Sequence, residues 1–182
     1  MRVIARNWKW IAGALLIAAI VHVASLLLLP RLIMLRTMSV MARSASANTI
    51  LHPPRSGARS RTVVRPSPDL LYSICVYDLR AGDGAAVRVS IRDMPDTYWS
   101  VSVFDADTNN FYALNDRQAK TGAADFLLVE SAAPANDERL PVVTAPTSRG
   151  IVLFRILVSD DARTAELDAA RRHTRCAPYR TG

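Results

Sequence analysis

Asp105, Asp107 and Asn109 alternate directly after the run YWSVSVF, with Asn110 next and Asp116 further on. Side-chain oxygens therefore stand at the first, third, fifth and twelfth places of a calcium-type loop. The match is partial, because Asn110 replaces the usual turn glycine and Asp116 the bidentate Glu, and the flanks read as strands instead of helices. The same two aspartates could act as an acid/base pair in a hydrolase or lyase working on envelope or imported polymers. They could equally be a hairpin connection, in which Asp and Asn bond their own backbone and accept left-handed conformations. Tyr72, Tyr98, Trp99 and Phe111, taken with Asp105, Asp107, Asn109 and Asn110, would give aromatic faces beside acidic and amide groups if the strands bring them to one mouth of a sheet. Such a set suits sugars or small polar ligands, while packing in a core is the commoner fate of the aromatics.

Other chemistries lack their residues. The histidines are His22, His52 and His173, far apart in the chain, with no HExxH, no GxSxG elbow and no Walker or dinucleotide glycine loop. No metal and no cofactor is expected, and a Ser-His-acid or Cys-His site would have to use His173. Cys75 and Cys176 have no metal-ligand spacing. They either form a disulfide, if the domain is exported, or remain two buried thiols. The expectation is therefore a module that binds a partner protein or an envelope ligand without catalysis, with the hydrolase or lyase and a calcium-stabilised module as alternatives.

These residues must be positioned by what surrounds them. Trp10 to Leu29 reads WIAGALLIAAIVHVASLLLL, with no side chain charged at neutral pH. Twenty helical residues reach roughly 30 Å, the thickness of a hydrocarbon core. Arg2, Arg6 and Lys9 precede the run, as in a signal peptide, but signal-peptide apolar regions are only about 7 to 15 residues long. The nearest small-residue cleavage site, Ala45-Ser46-Ala47, lies well past Leu29. An uncleaved single-pass anchor is expected, ended by Pro30 and Arg31. Basic residues flank both sides almost equally, and the signal-anchor arrangement favours a cytoplasmic amino terminus with an exported carboxyl domain.

The net charge of +7 invites a nucleic-acid reading until it is divided. Residues 1–65 carry ten of the 23 basic side chains and none of the 16 acidic ones, which leaves thirteen against sixteen, a net of −3, for residues 66–182. The positive charge belongs to the anchor and its tether, so a nucleic acid is not the expected partner and the lipid bilayer is. Arg31, Arg36 and Arg43 can hold the stem to anionic headgroups, or be solvated linker charges.

Leu32 to Met41 would either extend the helix or lie along the interface, and Ser44 to Arg61 reads as an extended linker. Beyond it, period-two patterning predicts strands at Thr62–Arg65, Leu71–Leu79, Ala85–Ile91, Tyr98–Asp105, Phe111–Leu114, Phe126–Val129 and Ile151–Val158. Pro95, Pro134, Pro141 and Pro146 fall in the connections. Val87, Val89 and Ile91 alternate with Arg88, Ser90 and Arg92, and the nearly all-apolar Ile151–Val158 should be central. One helix covering a sheet is expected, with Ser159 as N-cap, Asp160 and Asp161 in its first turn and Arg171, Arg172 and Arg175 at its far end. The expected class is α+β: a predominantly antiparallel sandwich or barrel-like domain with one carboxyl-terminal helix, behind one transmembrane helix. Its parts would be residues 1–30 (tail and anchor), 31–61 (stalk and linker) and 62–182 (β-rich domain).

The segments RPSPDLLYS (Arg65 to Ser73), YDLRAG (Tyr77 to Gly82), YWSVSVFDADTNNF (Tyr98 to Phe111) and GAADFLLV (Gly122 to Val129) resemble, in order, the bacterial family named domain of unknown function 1254. The strand leading into Asp-x-x-Thr-Asn-Asn-Phe is the most specific part. The family's Pro-Asn-x-Asp-Thr-Leu-Tyr-Ser is altered here to Ser67, Pro68 and Leu70 at three of its places, which takes polar groups from that turn. The resemblance implies an envelope-associated protein, here on the bacterial inner membrane with its domain in the periplasm, and supplies no reaction. Larger members carry a second domain, named domain of unknown function 1214, so a separately encoded protein with that domain is an expected partner.

Overall fold

The computed structural model describes residues 2–57, 59–60, 65–81, 86–119, 122–130 and 140–179. It opens with helix α1, Arg2–Met41, which runs unbroken through Pro30. Forty residues make about 60 Å of helix. Asn7–Met41 is long and apolar enough to cross a membrane, and its most apolar stretch is buried against nothing in the chain. Of the two expectations for Leu32 to Met41, the structure takes the extended helix: proline removes one donor, and its neighbours still supply the rest of the ladder. Past it, Met34 and Met38, one helical turn apart, are buried on the outer face of a sheet against Val76 and Ile151, with Met41, Ile74, Phe104 and Leu153 around them.

Among the described residues nine strands follow: β1 (Ile50–Leu51), β2 (Leu70–Asp78), β3 (Ala86–Ile91), β4 (Trp99–Phe104), β5 (Asn110–Asn115), β6 (Ala124–Glu130), β7 (Val142–Ala145), β8 (Arg149–Leu157) and β9 (Arg175–Tyr179). They form a five-stranded sheet in the order β1-β2-β8-β4-β5 and a four-stranded sheet in the order β7-β6-β3-β9. Every pairing is antiparallel except β6 with β7. The inner faces build one core: Trp99, Val101 and Val103 from β4 and Val152, Phe154 and Ile156 from β8 meet Val87, Val89 and Phe126 of the other sheet. Central β8 is apolar on both faces because α1 covers its outer Ile151 and Leu153. The class is α+β, as expected.

Two boundaries differ from expectation. Residues 44–61 were expected as free linker, yet Ile50 and Leu51 pair with Cys75 and Ile74 of β2. Just before them, the Asn48 side chain donates to the Asp78 carbonyl at 2.8 Å and accepts from the Asp78 amide at 2.8 Å. The sandwich therefore begins at Asn48, not at Thr62, because backbone pairing on a sheet edge asks little of the side-chain pattern. The helix cap also moves: Asp160, not Ser159, accepts from the Ala162 amide and starts a 3-10 turn that leads into α2, Thr164–Arg171. Leu167 of α2 joins the core. The expected strand at Thr62–Arg65 falls largely on residues 61–64, and Pro134 on 131–139, outside the described residues. Strands β7 and β9 had no expected counterpart.

Cys75 of β2 and Cys176 of β9 are joined, so one disulfide ties the two sheets.

Candidate functional site

The expected aromatic and acidic cluster does not assemble. Asp105 and its turn leave one end of β4, while Tyr98 and Trp99 enter the other, about 17 Å away along the strand. Trp99 is buried in the core, its ring 6.1 Å from that of Phe154, and Phe111 packs against the same core. Tyr98 is exposed. Tyr72 pairs in register with Arg155 on the outer face, toward the Tyr98 end.

The Asp105 turn is closed on itself. One Asp105 oxygen accepts from the Asp107 amide at 2.9 Å and the Asn109 amide at 2.8 Å, and the other from the Asn109 side chain at 2.9 Å. These bonds hold Thr108 at φ 72°, a left-handed value costly for a β-branched residue. Asp107 points the other way, to an ion pair with Arg31 of α1. That hydrogen bond holds the Asp107 carboxyl below the ordinary carboxylate range. Asn110 is exposed on the edge strand. The two aspartates therefore face different partners instead of one substrate, and among the described residues no three His, Cys, Asp or Glu side chains converge on a metal position. Asp105→Ala should cost about 2 to 4 kcal/mol in urea unfolding, since buried amides lose a charged acceptor. Asp107→Ala should leave the unfolding midpoint unchanged.

A concave site forms elsewhere, where the end of α1, residues 53–56, Ser60 and residues 65–66 overhang the outer face of the five-stranded sheet. It is a groove of roughly 530 Å³ floored by Tyr72, Ile74, Leu153 and Arg155 and walled by Met41, by Pro53, Pro54 and Pro66, and by Arg55 and Arg65. Arg55 is spoken for, donating to the Pro68 carbonyl at 2.7 Å and to Asp161 at 2.7 Å. Arg155 is not: its guanidinium reaches only the Ser102 hydroxyl, at 3.2 Å, and its buried Nε has no partner. Ser100, opposite Arg155 in the register, has an unpartnered buried hydroxyl, and the Asp116 Oδ1 nearby is also unpartnered. The Tyr72 hydroxyl accepts from the Ser67 amide at 2.9 Å, which sets one rim.

Behind the groove Arg171 of α2 is 1% exposed. It pairs with Asp168 and donates to the carbonyls of Pro53, at 2.8 Å, and Tyr72. Next to it His52 Nδ1 lies 2.8 Å from the Ser73 hydroxyl. This is the only Ser-His contact among the described residues, and it uses His52 instead of His173, which faces Asp93 at 3.9 Å on the surface. Ser73 is wholly buried, so the pair locks the chain in place and offers no accessible nucleophile. Burial first, then the nearby charges of Arg171 and Arg172, push His52 down to about 4. The unfolded chain protonates near 6.5. Between those values the unfolded state binds the extra proton, so stability is full above about pH 6.5 and declines as pH falls toward 4. Denaturant midpoints measured across that window should fall for the native chain and fall less steeply for His52→Gln.

The groove residues carried one sequence signal that was not used: Arg155 interrupts an otherwise apolar central strand, IVLFRILV. His52 and Arg55 carried none, since they lie in a segment without period.

The profile of the family described as "Protein of unknown function (DUF1254)" matches residues 47–178, starting where the sandwich starts. The chain belongs to the DUF1254 family. Two solved structures share the DUF1254 fold seen here. The VPA0106 protein from Vibrio parahaemolyticus is 15% identical with a TM-score of 0.61, and the match covers 81% of this chain and 36% of that one. An uncharacterized protein from Burkholderia cenocepacia is 13% identical with a TM-score of 0.50, over 76% of this chain and 36% of that one. This DUF1254 chain thus spans little more than a third of either protein's length. No curated protein matches it in sequence.

Proposed function

We propose that this DUF1254 protein is a binding module held by one transmembrane helix in the bacterial inner membrane, with its sandwich in the periplasm, and that it takes its ligand in the groove beside Met41. The observation that carries this reading is the division of labour along α1. Its apolar stretch is bare, and its last turns bury Met34 and Met38 on the sheet, so the anchor helix packs directly on the sandwich. The disulfide between Cys75 and Cys176 supports the exported side, since such bonds persist in oxidising compartments. The partner is a separately encoded protein carrying domain of unknown function 1214.

Alkaline carbonate tests the anchor and a membrane-impermeant maleimide tests the side. Full-length protein should stay in the vesicle pellet, and a single cysteine placed at exposed Thr144 of a Cys75→Ala/Cys176→Ala chain should label in intact spheroplasts. Release into the wash, clipping near Ala47, or labelling only after lysis would overturn the placement. Cross-linking of native membranes should capture the partner, and a monodisperse monomer there would overturn the pairing.

A further inference from the structure

We propose that the groove binds a long-chain carboxylate, with the head on Arg155 and Arg65 and the acyl chain along Ile74, Leu153 and Met41. This rests on the reading of the groove as the ligand site and adds the chemistry of the ligand. The volume, roughly 530 Å³, lies within the usual range for small-molecule sites. Ile74 and Leu153 on the floor and Met41, Pro53, Pro54 and Pro66 on the walls are apolar, and among the described residues no Asp or Glu lines the groove. Its positive charge is not cancelled from within: Arg55 has Asp161, while Arg65 and Arg155 have no carboxylate partner among the described residues. Asp116, the nearest unpartnered acid in the register, is not among the lining residues.

The second observation is energetic. Arg155 lines the groove, has a buried Nε without an acceptor, and otherwise reaches only the Ser102 hydroxyl among the described residues. Buried donors left unmade cost more than a made bond returns, so this guanidinium is poised for an anion in the groove. A carboxylate has the lone pairs to accept from it, and a guanidinium is its preferred partner. Only one part of the groove asks for charge, and the remainder asks for a chain. A single-headed amphiphile meets both demands, and a short inorganic anion meets one. The source is at hand, because the groove opens beside the last residue of α1, about 18 Å along the helix from Leu29, the end of its bare apolar run.

The test uses full-length protein in phosphatidylcholine nanodiscs and a palmitic acid bearing a mid-chain diazirine, with the matching hexadecanol as the uncharged control. After photolysis, mass spectrometry should find label on peptides containing Ile74 and Leu153. Arg155→Met and the exposed Arg65→Met should each lower that label about tenfold, as should the change from acid to alcohol, which is the worth of one charged hydrogen bond. Arg65→Met cannot act by unfolding the sheet, and an intact disulfide on a non-reducing gel checks Arg155→Met. Equal labelling by the alcohol, label confined to residues 10–29, or label unchanged in both variants would overturn the proposal. Carbonate resistance and maleimide access are read on the same samples, so loss of the ligand is separable from loss of the membrane placement.

Discussion

Full-length protein in which Cys75 and Cys176 are both alanine is expected to lose about 2 to 5 kcal/mol of unfolding free energy. The bridge closes a loop across a sequence separation of 101 residues, which places its chain-entropy worth near the upper part of that range. It also replaces pairing that is otherwise thin. Strand β9 sits on the edge of its sheet and pairs along one side, with β3, over five register pairs from Ser90–Arg175 to Ala86–Tyr179. Cys75 anchors the other end on β2, deep in the first sheet and with no exposed surface. Urea unfolding followed by tryptophan fluorescence should show the double variant and the dithiothreitol-reduced native chain superposing, both well below the oxidised protein. An unchanged midpoint on reduction would mean that the bridge contributes nothing to holding the sheets together.

Replacing Arg171 should cost nearly as much, about 3 to 5 kcal/mol for Arg171→Met. The guanidinium serves Asp168 and two backbone carbonyls well separated in sequence, those of Pro53 and Tyr72. Removing it strands a partly buried carboxylate and two acceptors at once. Arg171→Lys should recover less than half of the loss, because an ammonium cannot span three directions with the geometry of a planar fork. If the lysine variant unfolds at the native midpoint, the clamp is a charge effect and its geometry is immaterial. The same change frees the carbonyl of Pro53, on the wall of the groove, so the Met variant should also weaken acyl labelling there.

Six of the strands were legible from period-two patterning, because a strand with one buried face must alternate. The missed ones explain themselves by composition. Strand β1 is two residues long, β7 carries mostly exposed side chains, and β9 contains Pro178, so none presents an apolar face to read. The Asp105 turn was legible as a turn from Asp, Asn and their spacing, since such residues bond their own backbone wherever they stand. The aromatic cluster was not. Tyr98 and Asp105 are separated by a strand that sends them to opposite ends of the sandwich, and Trp99 points into the core.

Sequence alone determined what depends on local chain properties: a bare apolar helix, a β-rich domain with its charge separated from the basic stem, a helix near the carboxyl end, and the family. Those follow from transfer energies and periodicities that each residue carries with it. Tertiary structure alone decided the groove, the Arg171 clamp, the His52–Ser73 contact and the choice between two thiols and a disulfide. Each joins side chains from elements far apart in the chain, such as His52 with Ser73 and Pro53 with Arg171. Their meeting is fixed by sheet order and register, by the antiparallel pairing of β2 with β8, and by where α1 lies down on them. That information resides in the packing of one element on another, and no single stretch of residues contains it.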